Sequence, residues 1–475
     1  MTTSTPTPAI RAAAPGPGGR PGRPTRRGAR APVAVAIAVV AALVAWLRLP
    51  PAARDTLWAE DGRVFVQQRA AVGPFESWFV PYDGYLHVVP RIVADLAWSW
   101  LPVGSLASGV TVLSCLVAGV VAAGVWCCSR GLVASPVVRL ALAAVTVLVP
   151  LAPLEVSGNL ANLHWYLLWL TPFLLLHRHR SATSTVLASV AALLIGLTEI
   201  QAVLLVPLVV LAGLVRRRTA PSRRDLVPVA VLCAALVAQL VVAALTPRAD
   251  APGAASTVPQ VVLGYLTSVV LGTWVPSASV MGDLLDRAGW PAVVVAAVPF
   301  VVSALVVVRS SRRSTVRGPD DDASGRVASG RMVLASVVAV ASIGLWTLDV
   351  VVNHGPDTKF WFADPGRVAE LGLTRYGVVP SMFLVVVVLC AVDALLLSTR
   401  RRLRAAGAAA LVVLAVVAAT WFVGPDTVRA DGPRWERSLG TAGDVCDGGA
   451  EVADVAGAPA GWGALLPCDV VDDVP

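Results

Sequence analysis

The chain carries little charge and few aromatic residues. Of its 475 residues, 14% are charged and 6% are aromatic, whereas 56% are hydrophobic, and the mean hydropathy is +0.73. Lysine occurs once, at Lys359. A soluble domain has about 25% charged residues, so this composition excludes an ordinary soluble protein. The apolar residues lie in long uninterrupted runs, which predicts a polytopic membrane protein.

Several signatures of soluble enzymes and nucleic-acid-binding proteins are also missing. The sequence contains no cysteine and histidine spacing typical of zinc, no glycine-rich phosphate-binding loop and no nucleophile elbow. The formal net charge of +8 arises from arginine clusters between apolar runs. We therefore expect no nucleic-acid partner. Membrane lipid is expected to surround the chain.

The apolar runs predict an all-α polytopic membrane protein, a bundle of about 11 transmembrane helices. A helix needs roughly 20 apolar residues to cross a hydrocarbon core of about 30 Å. The runs that meet or approach this length are 33–49, 104–128, 137–152, 163–177, 183–198, 200–215, 225–246, 290–309, 332–351, 376–396 and 405–423. The run at 259–280 would break the charge pattern of the loops if it crossed, so it is predicted to re-enter the membrane or to lie at its surface.

Arginine clusters predict the orientation. Every second loop is basic, and the clusters lie at 178–180, 216–224, 309–317 and 400–404. The first 30 residues hold six arginines and no acidic residue. Because positively charged loops stay in the cytoplasm, we predict a multi-pass plasma-membrane protein with a cytoplasmic amino terminus and an external carboxy terminus.

Three parts follow from this topology. They are a disordered basic cytoplasmic leader at 1–32, a transmembrane catalytic bundle at 33–423 and a small external acidic tail at 424–475. The tail has ten acidic residues against three arginines. Its cysteines, Cys446 and Cys468, would meet an oxidising compartment, so a disulfide between them is predicted.

Polar residues collect in the segments that this topology places outside. The first external loop, residues 50–103, contains "LWAEDGRVFVQQ" and "PYDGYLHVVPRI". Its candidate residues are Glu60, Asp61, Tyr82, Asp83, His87 and Arg91. Further candidates are Asn159 and His164 in "EVSGNLANLHWYLLW", Glu199 inside an apolar run, and Arg375 and Tyr376 at the start of a late helix. The loop before Arg375 adds His354, Asp357, Lys359, Asp364 and Arg367. These clusters predict a polar cavity at the outer membrane face.

Such a cavity suits a sugar donor carried on a polyprenyl phosphate. The phosphate is already a good leaving group, so the reaction needs one carboxylate base for the acceptor hydroxyl and a cation at the phosphate. Asp61 or Glu60 can be the base. Arg375 or Arg91 can hold the phosphate.

Three short motifs resemble the integral-membrane GT-C glycosyltransferases. They are "AEDG" in the first external loop, "YDGYLHVVPRI" before the second crossing and "RYGVVP" at the start of a helix. The resemblance extends over roughly 33–423 and implies a helical bundle with an extended first external loop. It also implies a polyprenyl-phosphate-linked sugar as donor and a cell-envelope glycan or lipid as acceptor.

The same resemblance assigns roles to individual residues. It implies that Asp61 is the catalytic base with Glu60 beside it, and that Arg375 and Tyr376 lie near the lipid phosphate. Whether a divalent cation, Mg²⁺ or Mn²⁺, is bound stays open, because two adjacent acids do not define a metal site.

Other interpretations of these residues stay open as well. Asn159 could cap a helix rather than bind a sugar, and His164 could belong to an aromatic belt at the interface. Glu199 could pair with a neighbouring helix, because a buried ionisable residue needs a partner or a polar cavity. Arg375 could be a membrane-end anchor.

Two alternatives to a glycosyltransferase also stay open. A membrane transporter or flippase of lipid-linked or polar solutes would use buried polar residues too, although no internal repeat is visible. A scaffold or a polysaccharide polymerase that binds lipid-linked glycans would not need the acidic pair. Asp349 and Asp393, near predicted helix ends, are expected to be solvated or to cap helices.

Overall fold

The computed structural model describes residues 30–215, 222–246, 248, 256–316, 322–353, 368, 375–424 and 429–472. Nearly all of the predicted leader at 1–32, and the charged residues of the 354–367 stretch, lie outside the described residues.

The described chain is mainly α-helical. Its helices are α1 (Arg30–Leu47), α2 (Pro51–Arg54), α3 (Gln67–Val72), α4 (Val88–Trp100), α5 (Leu106–Cys128), α6 (Pro136–Leu148), α7 (Ala152–Glu155), α8 (Leu163–Leu176), α9 (Ala182–Gly196), α10 (Leu205–Val215), α11 (Arg223–Leu245), α12 (Val258–Gly264), α13 (Ala278–Ala288), α14 (Pro291–Val316), α15 (Asp322–Val352), α16 (Arg375–Leu396), α17 (Arg401–Thr420), α18 (Trp435–Asp447) and α19 (Cys468–Asp472). Short π-helices lie at Asp61–Val66 and Tyr265–Leu271, and 3₁₀ turns lie at Glu76–Phe79, Val103–Ser105 and Ile200–Leu204. Two strands, β1 (Val452–Ala456) and β2 (Gly463–Pro467), pair antiparallel.

The helices confirm the all-α polytopic membrane fold. Within the described residues, 7 helices are long and apolar enough to cross a membrane, and they lie at Val103–Cys128, Pro136–Glu155, Arg223–Leu245, Pro291–Arg312, Gly325–Val352, Arg375–Leu396 and Arg401–Thr420. Shorter apolar helices lie at Ala31–Leu47, Leu163–Leu176 and Val258–Leu271. The chain is therefore a multi-pass membrane protein.

The segment from 182 to 212 differs from the prediction of two crossings. Ala182–Gly196 and Ile200–Ala212 are two short helical segments that meet at an angle of 115°, and by length they amount to one span at most. At 1.5 Å per residue, a 15-residue helix extends about 22 Å, which is less than the hydrocarbon core. Hydropathy detected both apolar segments but could not detect the bend between them.

Helix α16 forms the centre of the bundle. It is buried along most of its length and packs against α6, α8, α14, α15 and α17. Helix α17, by contrast, exposes apolar side chains such as Val412 and Val416, as a lipid-facing helix does. Arg375 begins α16, and Asp393 lies 18 residues later, about 27 Å along the axis. We call the end of the bundle with Arg375 the site end and the end with Asp393 the far end.

The first loop is hydrogen-bonded into the bundle. The side chain of Gln239 in α11 bonds both backbone groups of Leu86, each at 2.9 Å. The backbone N–H of Val88 donates to the Leu197 carbonyl at 3.3 Å, and that of Val89 donates to the Thr198 hydroxyl at 3.0 Å. These buried bonds fix residues 86–89 beside the bend between α9 and α10.

The carboxy-terminal tail forms a small lobe on the first loop. It consists of α18, the β1–β2 hairpin and α19, and a disulfide joins Cys446 to Cys468, the pair suggested by the sequence. Ala458 accepts a hydrogen bond from the Ala59 N–H at 2.5 Å and donates to the Leu57 carbonyl at 2.9 Å. The lobe therefore supports the segment that leads into the acidic pair.

Candidate functional site

Asp61 fastens the first loop to the segment that precedes α8. Its side chain is fully buried, and its two carboxylate oxygens accept hydrogen bonds from the backbone N–H groups of Ala161 at 2.9 Å and Leu160 at 3.1 Å. Burial raises the pKa of Asp61 to about 7, although both hydrogen bonds and the charge of Arg429 act in the opposite direction. Both oxygens of the acid favoured by the sequence are thus engaged in holding backbone.

Arg429 completes this connection from the tail. Its guanidinium is buried and donates to the carbonyls of Gly158, at 3.0 Å, and Ser157. Burial lowers the pKa of Arg429, while the charge of Asp61 raises it. Arg429 could not be predicted from the sequence, because nothing in the tail distinguishes it from the other arginines there.

Glu60 has the free oxygen of the acidic pair. Its Oε2 is buried and accepts no hydrogen bond from the described residues. Its charge acts on Tyr82 and on Arg375, so these groups lie nearby. Burial, followed by the charge of Glu60, raises the pKa of Tyr82 to about 12, which keeps the phenol protonated at neutral pH. Glu60 is therefore a carboxylate with an unused acceptor beside a phenol and a guanidinium.

An aromatic cluster surrounds His87. The imidazole is buried, with ring centroids 4.1 Å from Tyr85, 5.7 Å from Tyr82 and 5.8 Å from Phe65. Its Nδ1 lies 3.2 Å from the Tyr85 carbonyl, which can only accept, so Nδ1 carries the proton. Burial holds the pKa of His87 well below its usual range, and electrostatic interactions with His164 and Arg91 add to this effect. His87 is consequently a neutral ring.

Arg91 is a buried cation with unused donors. Its side chain is 1% exposed, and its Nη2 donates to Gln68 Oε1 at 2.7 Å. Its Nε and Nη1 have no hydrogen-bond partner among the described residues, and the guanidinium lies 5.4 Å from the Phe65 ring centroid. Burial lowers the pKa of Arg91 to about 10, so the group stays charged at neutral pH. A buried charge without a counter-ion is costly, and an anionic ligand would offset that cost.

Arg375 differs from Arg91 because it has a carboxylate partner. Its Nη1 donates to Glu155 Oε1 at 2.9 Å, and its backbone N–H donates to Glu155 Oε2 at 3.3 Å. Its Nη2 contacts the Tyr376 hydroxyl at 3.4 Å, and the Tyr376 ring packs edge-on against Trp165. The site end therefore contains the predicted pair Arg375 and Tyr376, together with Glu155, the first residue of the segment "EVSGNLANLHWYLLW".

The bend between α9 and α10 brings together a second polar group. Glu199 Oε2 pairs with His164 Nδ1, and Glu199 Oε1 accepts from the Gln201 N–H at 2.7 Å, which caps the 3₁₀ turn. Gln201 Nε2 donates to Asp349 Oδ1 at 2.5 Å. Of the interpretations left open above, Glu199 thus pairs with a neighbouring helix, α8.

Asp349 was wrongly expected to be solvated or to cap a helix. Its side chain is fully buried, because α15 packs against the 3₁₀ turn that carries Gln201. Asp349 Oδ2 and Gln201 Oε1 are both buried and have no hydrogen-bond partner in the part of the chain that the structure describes. An ionisable residue within an apolar run was the signal that could have identified Asp349.

Asn159 supports the loop before α8. Its Nδ2 donates to the Glu155 carbonyl at 2.7 Å, and its Oδ1 accepts from the N–H of Asn162 at 3.0 Å and from Asn162 Nδ2 at 2.8 Å. The residue is fully buried. Its side chain is thus used within the protein, which favours the supporting role over sugar binding.

Asp83 lies at the rim of the site end. Its carboxylate pairs with Arg248 at 3.2 Å, and Arg248 also donates to Asn353 Oδ1 at 2.6 Å. The side chains of Arg248 and Asp83 are 38% and 35% exposed. This pair joins the first loop to the ends of α11 and α15 at the surface.

The residues of the acidic pair do not by themselves form a divalent-cation site. Among the described residues, no group of three or more His, Cys, Asp or Glu side chains could hold a metal ion. Of the pair itself, Glu60 has a free oxygen, whereas both oxygens of Asp61 hold backbone.

No protein-family model and no curated protein matches the chain. The residues of the site end provide an unpartnered carboxylate oxygen, an unpartnered buried guanidinium and aromatic rings between them.

Proposed function

We propose that the protein is a membrane glycosyltransferase of the GT-C type. It transfers a sugar from a polyprenyl-phosphate donor to a cell-envelope glycan or lipid acceptor. The arginine-rich loops support a plasma-membrane location in which the site end faces outside. One observation carries the proposal: the first loop holds both a carboxylate with a free oxygen, Glu60, and a buried guanidinium with free donors, Arg91.

Glu60 is the base in this proposal, although the sequence favoured Asp61. Glu60 Oε2 takes the proton from the acceptor hydroxyl as that oxygen attacks the anomeric carbon of the sugar. The bond from the anomeric carbon to the phosphate oxygen breaks in the same displacement, so the anomeric configuration inverts. Asp61 has a positioning role, because its hydrogen bonds to Leu160 and Ala161 hold the turn that presents Glu60.

Arg91 receives the departing lipid phosphate. Guanidinium groups bind phosphate through charge-assisted hydrogen bonds, and Arg91 has the unused Nε and Nη1 donors that this requires. Arg375 is less suited, since Glu155 already neutralises it. Its guanidinium lies within electrostatic range of Glu60, which places a second cation beside the proposed base.

A transporter or flippase is the second candidate function, and the bend at Glu199 is the observation that favours it. Transporters place discontinuous helices and buried acids near the middle of the membrane. Such folds, however, repeat the broken helix in matching positions of two halves. Within the described residues one bent pair occurs, at Ala182–Gly196 and Ile200–Ala212.

The test is sugar transfer by purified protein in liposomes, with a panel of radiolabelled polyprenyl-phosphate sugars and envelope acceptors. We expect the wild type to consume at least one donor and Glu60→Gln to be slower by roughly 100-fold or more, as for the loss of a general base. Glu76→Gln is the matched control, because Glu76 is an exposed acid of the same loop.

Each other result has a definite meaning. Full turnover by Glu60→Gln together with an inactive but folded Asp61→Asn would return the base to Asp61. If the wild type consumes no donor and instead moves labelled lipid across the bilayer, the protein is a flippase.

A further inference from the structure

We propose that the bend between α9 and α10 is a binding subsite for two hydroxyl groups of the transferred sugar, formed by Gln201 and Asp349. This inference rests on the proposed glycosyltransferase function and names a specificity site within it.

The two side chains already orient one another. Gln201 lies in the 3₁₀ turn after the bend, Asp349 lies near the end of α15, and Gln201 Nε2 donates to Asp349 Oδ1 at 2.5 Å. That bond leaves Gln201 Oε1 and Asp349 Oδ2, both buried and both without a partner among the described residues. Asp349 is 0% exposed, so water at the protein surface does not compensate its free oxygen.

Both unused atoms are hydrogen-bond acceptors, so a complementary ligand must donate. A buried acceptor without a donor destabilises the protein. A ligand that supplies the donor removes this cost, and its binding free energy is more favourable by that amount. A divalent cation needs about six oxygen ligands, but the two oxygens of Glu199 are already engaged by His164 and Gln201. Two neighbouring hydroxyl groups on one sugar ring satisfy two acceptors.

The bend borders the proposed reaction centre. The charges of Glu199 and Arg375 act on Asp349, and the charge of Glu60 acts on Arg375. The first loop contacts the bend directly, since the backbone N–H groups of Val88 and Val89 donate to the Leu197 carbonyl and the Thr198 hydroxyl. A sugar whose anomeric carbon is near Glu60 would therefore have its remaining hydroxyl groups toward Gln201 and Asp349.

The inference is tested by lipid binding in nanodiscs, which needs no turnover. The affinity of each protein is measured for a polyprenyl-phosphate sugar, chosen from the panel above, and for bare polyprenyl phosphate of the same chain length. We expect the wild type to bind the sugar-bearing lipid about tenfold or more tightly, since two hydrogen bonds to buried acceptors contribute that much. Gln201→Leu and Asp349→Asn should reduce this ratio to about threefold or less.

Bare polyprenyl phosphate reports whether the variants are folded, because its affinity should not change. Asp283→Asn is the matched control, since Asp283 is an exposed acid on α13. A second measurement uses only the wild type, with donor lipids in which one hydroxyl group of the sugar is replaced by hydrogen. At least one of these deoxy donors should lose most of the affinity that the sugar adds to the bare lipid.

Equal affinity of the wild type for all sugar-bearing lipids and for the bare lipid would overturn the subsite. The subsite would also be overturned if Gln201→Leu and Asp349→Asn both kept the wild-type ratio of affinities for the sugar-bearing and the bare lipid, even if sugar is transferred normally. If the ratio depends on Gln201 and Asp349 but no sugar is transferred, the subsite stands and the glycosyltransferase proposal fails.

Discussion

The two ends of α16 bury polar groups in opposite ways. At the far end, the Asp393 carboxylate accepts hydrogen bonds from the N–H groups of Ala134 and Ser135 and from Arg331 Nη1, with the shortest two at 2.7 Å. These bonds occupy both oxygens and hold the two residues that precede α6, so Asp393 is buried and was wrongly expected to be solvated or to cap a helix. At the site end, Glu60 and Asp349 each retain a buried oxygen without a partner in the described chain.

The cations show the same contrast. Arg331 is paired with Asp393 and has one unused nitrogen, Nε, whereas Arg91 has two and no carboxylate within the described residues. Burial of a polar group is costly at either end. At the site end the protein supplies partners for Arg375 and Asp61, but not for the free atoms of Glu60, Asp349 and Arg91 among the described residues. The pairs at the far end thus stabilise the bundle, and in the function that we propose the unpartnered atoms at the site end bind a ligand.

The largest effect is expected at the far end. Asp393→Ala should destabilise the protein by about 3–5 kcal/mol, because it leaves Arg331 as a buried charge without its partner. Glu60→Ala should change the stability by less than about 1 kcal/mol, since Glu60 Oε2 has no partner to lose. The measurement is the free energy of unfolding in detergent micelles. Equal losses in the two variants would remove the distinction between the ends.

Asp61 lies at the site end but, like Asp393, has hydrogen bonds to both carboxylate oxygens. Its effect on stability should depend on pH. Its pKa is raised from 3.8 to about 7, so between these values the folded protein binds a proton that the unfolded chain has lost. Stability should therefore fall as the pH rises from about 4 to about 7, by an amount on the order of 4 kcal/mol, and stay level above that range. Asp61→Asn should lack this fall, which thermal unfolding across the pH range would measure. Parallel curves for the wild type and the variant would show that Asp61 is not protonated in the folded state.

Replacing Arg91 and Arg331, which are both buried, should have different effects on stability. Without ligand, Arg91→Met should be neutral or more stable by about 1 kcal/mol, because it removes a buried charge that lacks a counter-ion. Arg331→Met is the matched control and should be destabilising, because Asp393 then loses its cation. The measurement is the free energy of unfolding of both variants in detergent micelles without added polyprenyl-phosphate lipid. A clear loss of stability in Arg91→Met would mean that its bond to Gln68 and its contact with Phe65 are a structural requirement.

The sequence predicted the helices well because the membrane sets their length. Each predicted apolar run is helical in the structure, but the runs at 183–198 and 200–215 meet at a bend and amount to one span at most, and Ala31–Leu47 and Leu163–Leu176 are shorter than a full span. The direction of a helix is not encoded in hydropathy, so the bend after Gly196 was missed. It arises because Glu199 takes an extended backbone conformation and its side chain caps the following turn.

The charged residues of the site were easier to predict from the sequence than the groups to which they are hydrogen-bonded. Ionisable residues near apolar runs, such as Arg91 and Glu199, are conspicuous in the sequence. Their partners are not, because Arg375 and Glu155 are 220 positions apart and Asp61 binds backbone 99 and 100 positions away. The free oxygen of Glu60 follows from these pairings and could not be predicted without them.

The smallest effect is expected at the exposed rim of the site end. Arg248→Ala removes the pair with Asp83, and exposed ion pairs contribute about 0–1 kcal/mol. We expect a loss below about 0.5 kcal/mol at low salt and none at 1 M salt, where screening acts over about 3 Å. Gln239→Leu, which removes two buried bonds to Leu86, should cost more, about 1–3 kcal/mol, independent of salt. If Arg248→Ala proved the more damaging of the two, the first loop would be held by its surface pair, and the buried bonds beside the bend would not be what positions the site.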